Sequence, residues 1–245
     1  MKRYDILTLF PEIVLAPLRE SIVGRAQEKG LLDIRVVNFR EYAQDKHRIV
    51  DDLPFGGEPG MVLKPEPIFA AVRDCFREGP NARVILMSPA GQLFDQEMAK
   101  ALAAEEHLIF ICGRYKGVDE RVREALVTDE ISIGDYVLSG GEIPALVLIE
   151  ALVRLIPGVL GDEDSARGDS FYGGILDHPH YTRPAVFEGM EVPPILISGH
   201  HGQIRRWRRK EALRRTQKRR PDLLREAALN EEDKALLKEI EREEN

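Results

Sequence analysis

Two short runs, Arg83 to Met87 (RVILM) and Leu108 to Cys112 (LIFIC), are apolar along almost their whole length, and each breaks at once into a glycine-bearing loop. A strand with one wet face alternates apolar and polar residues. A strand that is apolar throughout must be covered on both faces, as in a parallel sheet sandwiched between helices. The rest of the first 157 residues supplies those helices. Tyr4 to Phe10 reads as a strand stopped by Pro11, and Leu32 to Phe39 alternates as a second. Between them Ile22, Val23 and Ala26 share a helical face that ends at Gly30. Pro67 to Phe76 is helical in pattern, with proline suited to a first turn. Helices follow over Asp95–Ala104, with Asp95 as cap, and over Asp119–Leu126, which leads to a strand at Glu130–Ile133. Glu142 to Ile156 is a long apolar helix ending at Pro157-Gly158. The alternation predicts an α/β domain with a mainly parallel sheet.

From Gly158 to Gly174 the chain turns glycine-rich and acidic, with Asp162, Glu163, Asp164 and Asp169. This predicts a mobile linker over 158–174 between an α/β domain, 1–157, and a small helical domain, 175–245, that lacks strand patterns. At 43% hydrophobic and 31% charged residues, the 245-residue chain has the balance of a soluble globular protein. No apolar run approaches the roughly 18 residues of a membrane span. Met1-Lys2-Arg3-Tyr4-Asp5 carries no cleavage pattern. Two cysteines, Cys75 and Cys112, form neither a framework nor a CxxC pair, so a reducing cytoplasm is expected.

The net charge of −7 argues weakly against a nucleic-acid partner, but its distribution reverses the argument. Residues 205–220 carry +9, residues 221–245 carry −5, and the first 204 residues carry −11. Trp207, the only tryptophan, lies within the basic segment. Arginines interleaved with an aromatic suit phosphate contacts plus stacking.

In open parallel sheets ligands sit where loops leave the carboxyl ends of strands. Three loops qualify: 88–91 (SPAG), 113–117 (GRYKG) and 133–141 (IGDYVLSGG). One glycine after a strand is usually only a turn; three such loops in succession point to a binding edge. GxGxxG, GxxxxGK[ST] and HExxH are all absent. His178, His180, His200 and His201 lack cysteine partners and read as hydrogen-bonding residues rather than a zinc site. Cys112 reads as a buried small hydrophobe. Asp169 taken alone is a solvated linker residue. Arg154 lies four residues after Glu150, which fits a helical ion pair as well as a cation aimed at a developing oxyanion.

Together these strings resemble the bacterial tRNA (guanine-37-N1)-methyltransferases of the SPOUT class. The match runs nearly end to end. It includes Ile6–Pro11 (ILTLFP), Glu20-Ser21-Ile22 with Gly24-Arg25-Ala26, and the glycine loop through Gly60-Met61. It continues with Cys112–Arg121 (CGRYKGVDER), Ile133–Glu142 (IGDYVLSGGE), Leu176–Pro184 (LDHPHYTRP) and Arg219–Leu223 (RRPDL). Three positions depart from the family pattern. Lys116 stands where Glu is more frequent, Glu58 interrupts a loop that usually reads Gly-Gly-Gly, and His178 stands where Cys is common.

The resemblance implies a trefoil knot in the α/β domain, a homodimer with each active site across the subunit interface, the tRNA anticodon arm as partner and S-adenosylmethionine as methyl donor. It assigns the donor to Ser88, Pro89, Gly113, Tyr115, Ile133, Gly134, Asp135, Tyr136, Val137, Leu138, Gly140, Gly141 and Pro144. It assigns substrate contacts to Asp177, His180, Tyr181 and Arg183. The basic segment, with Arg205, Arg208, Arg209, Arg214 and Arg215, would hold the anticodon arm. Guanine N1 carries a proton, and its removal leaves charge on O6, so the reaction needs a base and a stabilising cation. By resemblance these are Asp169 and Arg154. Some magnesium dependence is also implied, without an identifiable ligand cluster. Other readings remain: a SPOUT enzyme acting on a ribose 2′-hydroxyl, an RNA-binding protein without catalysis, and a nucleotide-binding regulator.

Overall fold

The computed structural model describes residues 1–79, 81–161 and 168–244. The chain divides into two compact units, Met1–Gly161 and Asp162–Asn245. The 158–174 linker expected from sequence is described only at its ends, since residues 162–167 lie outside the described residues.

The first unit begins with strand β1 (Lys2–Thr8), helices α1 (Pro11–Leu18) and α2 (Ser21–Glu28) and strand β2 (Leu32–Asn38). A small antiparallel hairpin follows, β3 (Asp51–Asp52) and β4 (Val62–Leu63). Then come α3 (Pro65–Glu78), β5 (Arg83–Leu93), α4 (Gln96–Ala104), β6 (His107–Cys112), α5 (Glu120–Leu126), β7 (Asp129–Ser132) and α6 (Glu142–Val153). Five strands pair in the order β2-β1-β6-β5-β7, every pair parallel. Strand β6 explains why its sequence carries no alternation. Leu108, Phe110 and Cys112 join a core under α1, α2, α4 and α6, while Ile109 and Ile111 join the opposite core under α3 and α5. Burying an apolar side chain contributes roughly 1.5–3 kcal/mol, so both faces of this strand favour the central position.

The ends of one strand and one helix differ from the sequence expectation. Strand β5 does not end at Met87 but continues to Leu93. Both Met87 and Gln92 register with Ile131 of β7, so residues 88–91 leave the ladder as a bulge and the strand resumes. The helix read as reaching Ile156 ends at Val153. The chain tightens there, with the Leu155 and Ile156 amides donating to the carbonyls three residues back before Pro157 stops the run.

The second unit holds a two-stranded hairpin, β8 (Val186–Phe187) with β9 (Met190–Glu191), and helices α7 (His201–Arg219), α8 (Pro221–Glu226) and α9 (Glu231–Glu244). The hairpin was not expected. Strands of two residues are too short to show alternation, and their turn is made by Glu188 and Gly189, both at positive φ. Ala212 and Leu213 of α7 pack with Ile175 and with Leu236 and Ile240 of α9. Among the described residues no helix is long and apolar enough to cross a membrane.

Candidate functional site

The carboxyl ends of β6 and β7 and the bulge of β5 are neighbours at one sheet edge, and their loops enclose a cleft of about 370 Å³. Every donor residue named from sequence except Asp135 lines it: Ser88 and Pro89 from the bulge, Gly113 and Tyr115 after β6, and the rest from 133–144. Two glycines make the shape. A β-carbon at Gly141 would stand 2.8 Å from the Cys112 Cα, and Gly134, at φ +141°, would meet the Tyr136 ring at 2.6 Å. Tyr115 holds φ +60° and is 54% exposed at the cleft. A bulky residue in the left-handed region costs local energy that the surrounding loop must offset.

Sequence reasoning missed the cleft's ionic floor. Glu142, at the amino end of α6, is 1% exposed. Thr8 Oγ1 donates to its Oε1 at 2.7 Å, and Arg114 Nη2 lies 3.1 Å from its Oε2. The helix amino terminus also favours a negative charge there. The Arg114 guanidinium stacks on the Phe10 ring at 4.4 Å and lines the cleft. Arg114 and Lys116 lay within the glycine loop already singled out, but their partners, 28 and 58 residues away, left no local signal. Burial pushes the Cys112 thiol well above its ordinary pKa, and Cys75 is raised to about 11 for the same reason. Neither is activated as a nucleophile.

Arg154 caps the carboxyl end of α6 in the first unit, and Asp169 lies in the second, where its carbonyl accepts from the Tyr172 amide at 3.3 Å. Asp177 accepts from His180 Nε2 at 2.6 Å, which orients the imidazole. Tyr181 and His178 each lie 6.5 Å from Trp207, centroid to centroid, and Arg183 follows on the same exposed stretch. Asp177, His178 and His180 present ligand-type atoms within 4.8 Å of one another, the one such group among the described residues. Two imidazoles suit zinc or nickel better than magnesium, so this group supplies no magnesium cluster.

The basic helix α7 has two distinct faces. Arg209 and Lys210 are held by Asp233, Glu239 and Glu243 of α9, and Arg206 and Arg214 pair with Glu239 and Glu243. Arg205, Arg208 and Arg215 are exposed. Of the five arginines expected to face nucleic acid, Arg209 and Arg214 are thus engaged by carboxylates within the unit, and Arg215 Nη1 donates to the Asp177 carbonyl oxygen at 3.4 Å.

The sequence model of a family described as tRNA (guanine-1)-methyltransferase TrmD matches residues 1–226. Proteins named tRNA (guanine-N(1)-)-methyltransferase are similar over nearly their full length. That of Moorella thermoacetica is 60% identical over 99% of this chain and 98% of its own. That of Dictyoglomus turgidum is 58% identical over the same shares. That of Brevibacillus brevis is 58% identical over 98% of this chain and 99% of its own. Identity at this level over both chains, on a parallel α/β frame with the glycine loops gathered at one edge, leaves one conclusion: the chain is an enzyme and belongs to the tRNA (guanine-1)-methyltransferase TrmD family.

Proposed function

We propose that the chain methylates N1 of guanosine 37 in tRNA, next to the anticodon, with S-adenosylmethionine as donor. The observation that supports this most is the cleft, which gathers the family's donor strings from three loops at one sheet edge. The residues present fit such a donor. Pro89, Ile133, Leu138 and Pro144 offer apolar walls, and glycine backbones offer N–H and C=O groups to a heterocycle edge. When bound, S-adenosylmethionine supplies an activated methyl group. The reading includes the trefoil knot, threaded through the segments that line the cleft.

The chain's own work is acid–base and positional. Asp169 takes the proton from guanine N1, which makes N1 nucleophilic. Arg154 stabilises the charge that moves onto O6. Asp177, His180, Tyr181 and Arg183 orient the acceptor, and exposed Arg205, Arg208 and Arg215 hold anticodon-arm phosphates. No covalent intermediate on the enzyme is required, in keeping with two thiols whose pKa values are raised.

The reading also makes the enzyme a cytoplasmic homodimer with each active site shared between two copies. Helices α1 and α6 pack together and leave Phe10, Ile13, Ile143 and Val147 between 37% and 52% exposed. Apolar side chains grouped on a folded unit favour an interface.

The test is to incubate the protein with labelled S-adenosylmethionine and unmodified tRNA bearing guanosine at positions 36 and 37, then map the product. 1-Methylguanosine at position 37 is expected. A 2′-O-methylated ribose, or binding of both ligands without transfer, would replace this reading.

A further inference from the structure

The two charged departures from the family strings, Glu58 and Lys116, meet in space: Lys116 Nζ lies 2.9 Å from Glu58 Oε2. They join two loops that backbone hydrogen bonds also connect behind the contact. The base of the β3–β4 hairpin is stitched to the cleft loop by backbone bonds. The Lys116 amide donates to Met61 O at 3.1 Å, Leu63 donates to Gly117 O at 3.0 Å, and Asp119 donates to Leu63 O at 2.9 Å. The tip, residues 53–60, lies beyond this ladder. It contains Gly56, Gly57 and Gly60, all at positive φ, and Phe55 is fully exposed on it. A backbone so rich in glycine has many conformations open to it, and something must restrict them for the tip to have one position.

Lys116 is built to do this. Its stem lies across Gly60, where a β-carbon would stand 3.0 Å from the Lys116 Cγ, so the missing side chain makes room for the stem. Its ammonium then reaches Glu58. Lys116 also lines the cleft. A sulfonium donor is a cation, and an uncompensated ammonium on the cleft wall would repel it. Glu58 neutralises that ammonium and holds it toward the hairpin.

We propose that the Glu58–Lys116 pair is a positioning latch for the donor cleft, fastening the glycine-rich hairpin tip to the cleft loop and screening the lysine charge from a cationic ligand. The proposal rests on the cleft being the donor site. The pair is exposed, with side chains 70% and 45% accessible, so it contributes little to global stability and acts locally.

The test compares wild type, E58K and the charge-swapped E58K/K116E enzyme. S-adenosylmethionine binding is followed by calorimetry, methyl transfer by steady-state kinetics, and unfolding by a thermal scan. E58K places two ammonium groups together at the cleft. It is expected to raise donor Kd and donor KM by about fivefold, with kcat at saturating donor changed less than about twofold. Adding K116E restores an opposite pair and should bring both constants back to within about twofold of wild type. In 1 M salt, where screening acts over about 3 Å, the E58K defect should shrink. All three proteins are expected to melt within a few degrees of one another. Unchanged donor affinity in E58K, or a double variant no better than the single one, overturns the latch. A wild-type protein that binds no donor overturns instead the reading of the cleft.

Discussion

Arg209 grips Asp233 with both arms of its guanidinium, Nε 2.6 Å from Oδ1 and Nη2 2.9 Å from Oδ2, and the Asp233 side chain is only 2% exposed. The Arg209 guanidinium holds the Asp233 carboxyl below its usual range. Arg209→Ala leaves a buried carboxylate without its main partner, a loss of about 1–3 kcal/mol read as a lower urea midpoint. A depressed folded pKa contributes stability that is present above the unfolded value, about 3.9, and lost as pH falls through the folded one. The difference between wild type and variant should therefore be full at pH 7 and shrink below about pH 4. Equal urea midpoints at pH 7 would remove the structural role given to this arginine.

Arg205 and Arg208 are the counter-case, on the same helix but exposed. The double substitution to alanine is expected to leave the melting temperature unchanged and weaken tRNA binding. Every arginine withdrawn from a phosphate lowers the slope of log affinity against log salt by nearly one, so the slope should fall by about two. Filter binding across a salt series measures it. An unchanged slope would place the anticodon arm elsewhere.

What was legible in the sequence was local or periodic. Strand β6 declared itself because every one of its residues is buried, and Asp95 because a capping side chain sits three residues from the Met98 amide it serves, here at 2.8 Å. The three cleft loops were legible because each follows an apolar or β-rich run, and parallel strands bring such runs to one edge. The pairing that returns Gln92 to Ile131 after four unpaired residues could not be read, since register belongs to the partner strand. Nor could the partners of Arg114, Lys116 and Arg209. A +9 segment looks uniformly available for phosphate until α9 folds against it and engages one face.

The carboxylate of Glu142 balances Arg114 beneath the cleft. Glu142→Gln keeps the shape and the Thr8 contact but removes the charge, leaving a guanidinium that is 16% exposed without its counter-ion. A loss of about 1–3 kcal/mol in stability is expected, with weaker donor binding because Arg114 lines the same cleft. Calorimetry and a urea titration on one preparation test both effects. A variant as stable as wild type with unchanged donor affinity would show that the pair does not shape the site.

Asp169→Asn tests the proposed base. The amide is nearly isosteric but cannot take the N1 proton, so the rate of methyl transfer should fall by about 10²–10⁴. Donor affinity should stay within about twofold, since the residues assigned to the donor all belong to the first unit and Asp169 to the second. A purely structural role would give a loss independent of pH. Loss of a base predicts otherwise: raising the pH ionises guanine N1 without help from the protein, so the variant should recover part of its deficit while wild type gains little. Single-turnover rates with labelled donor and saturating tRNA from pH 7 to 9 make the comparison. A variant that turns over like wild type, or a deficit constant across that range, would take the base assignment away from Asp169.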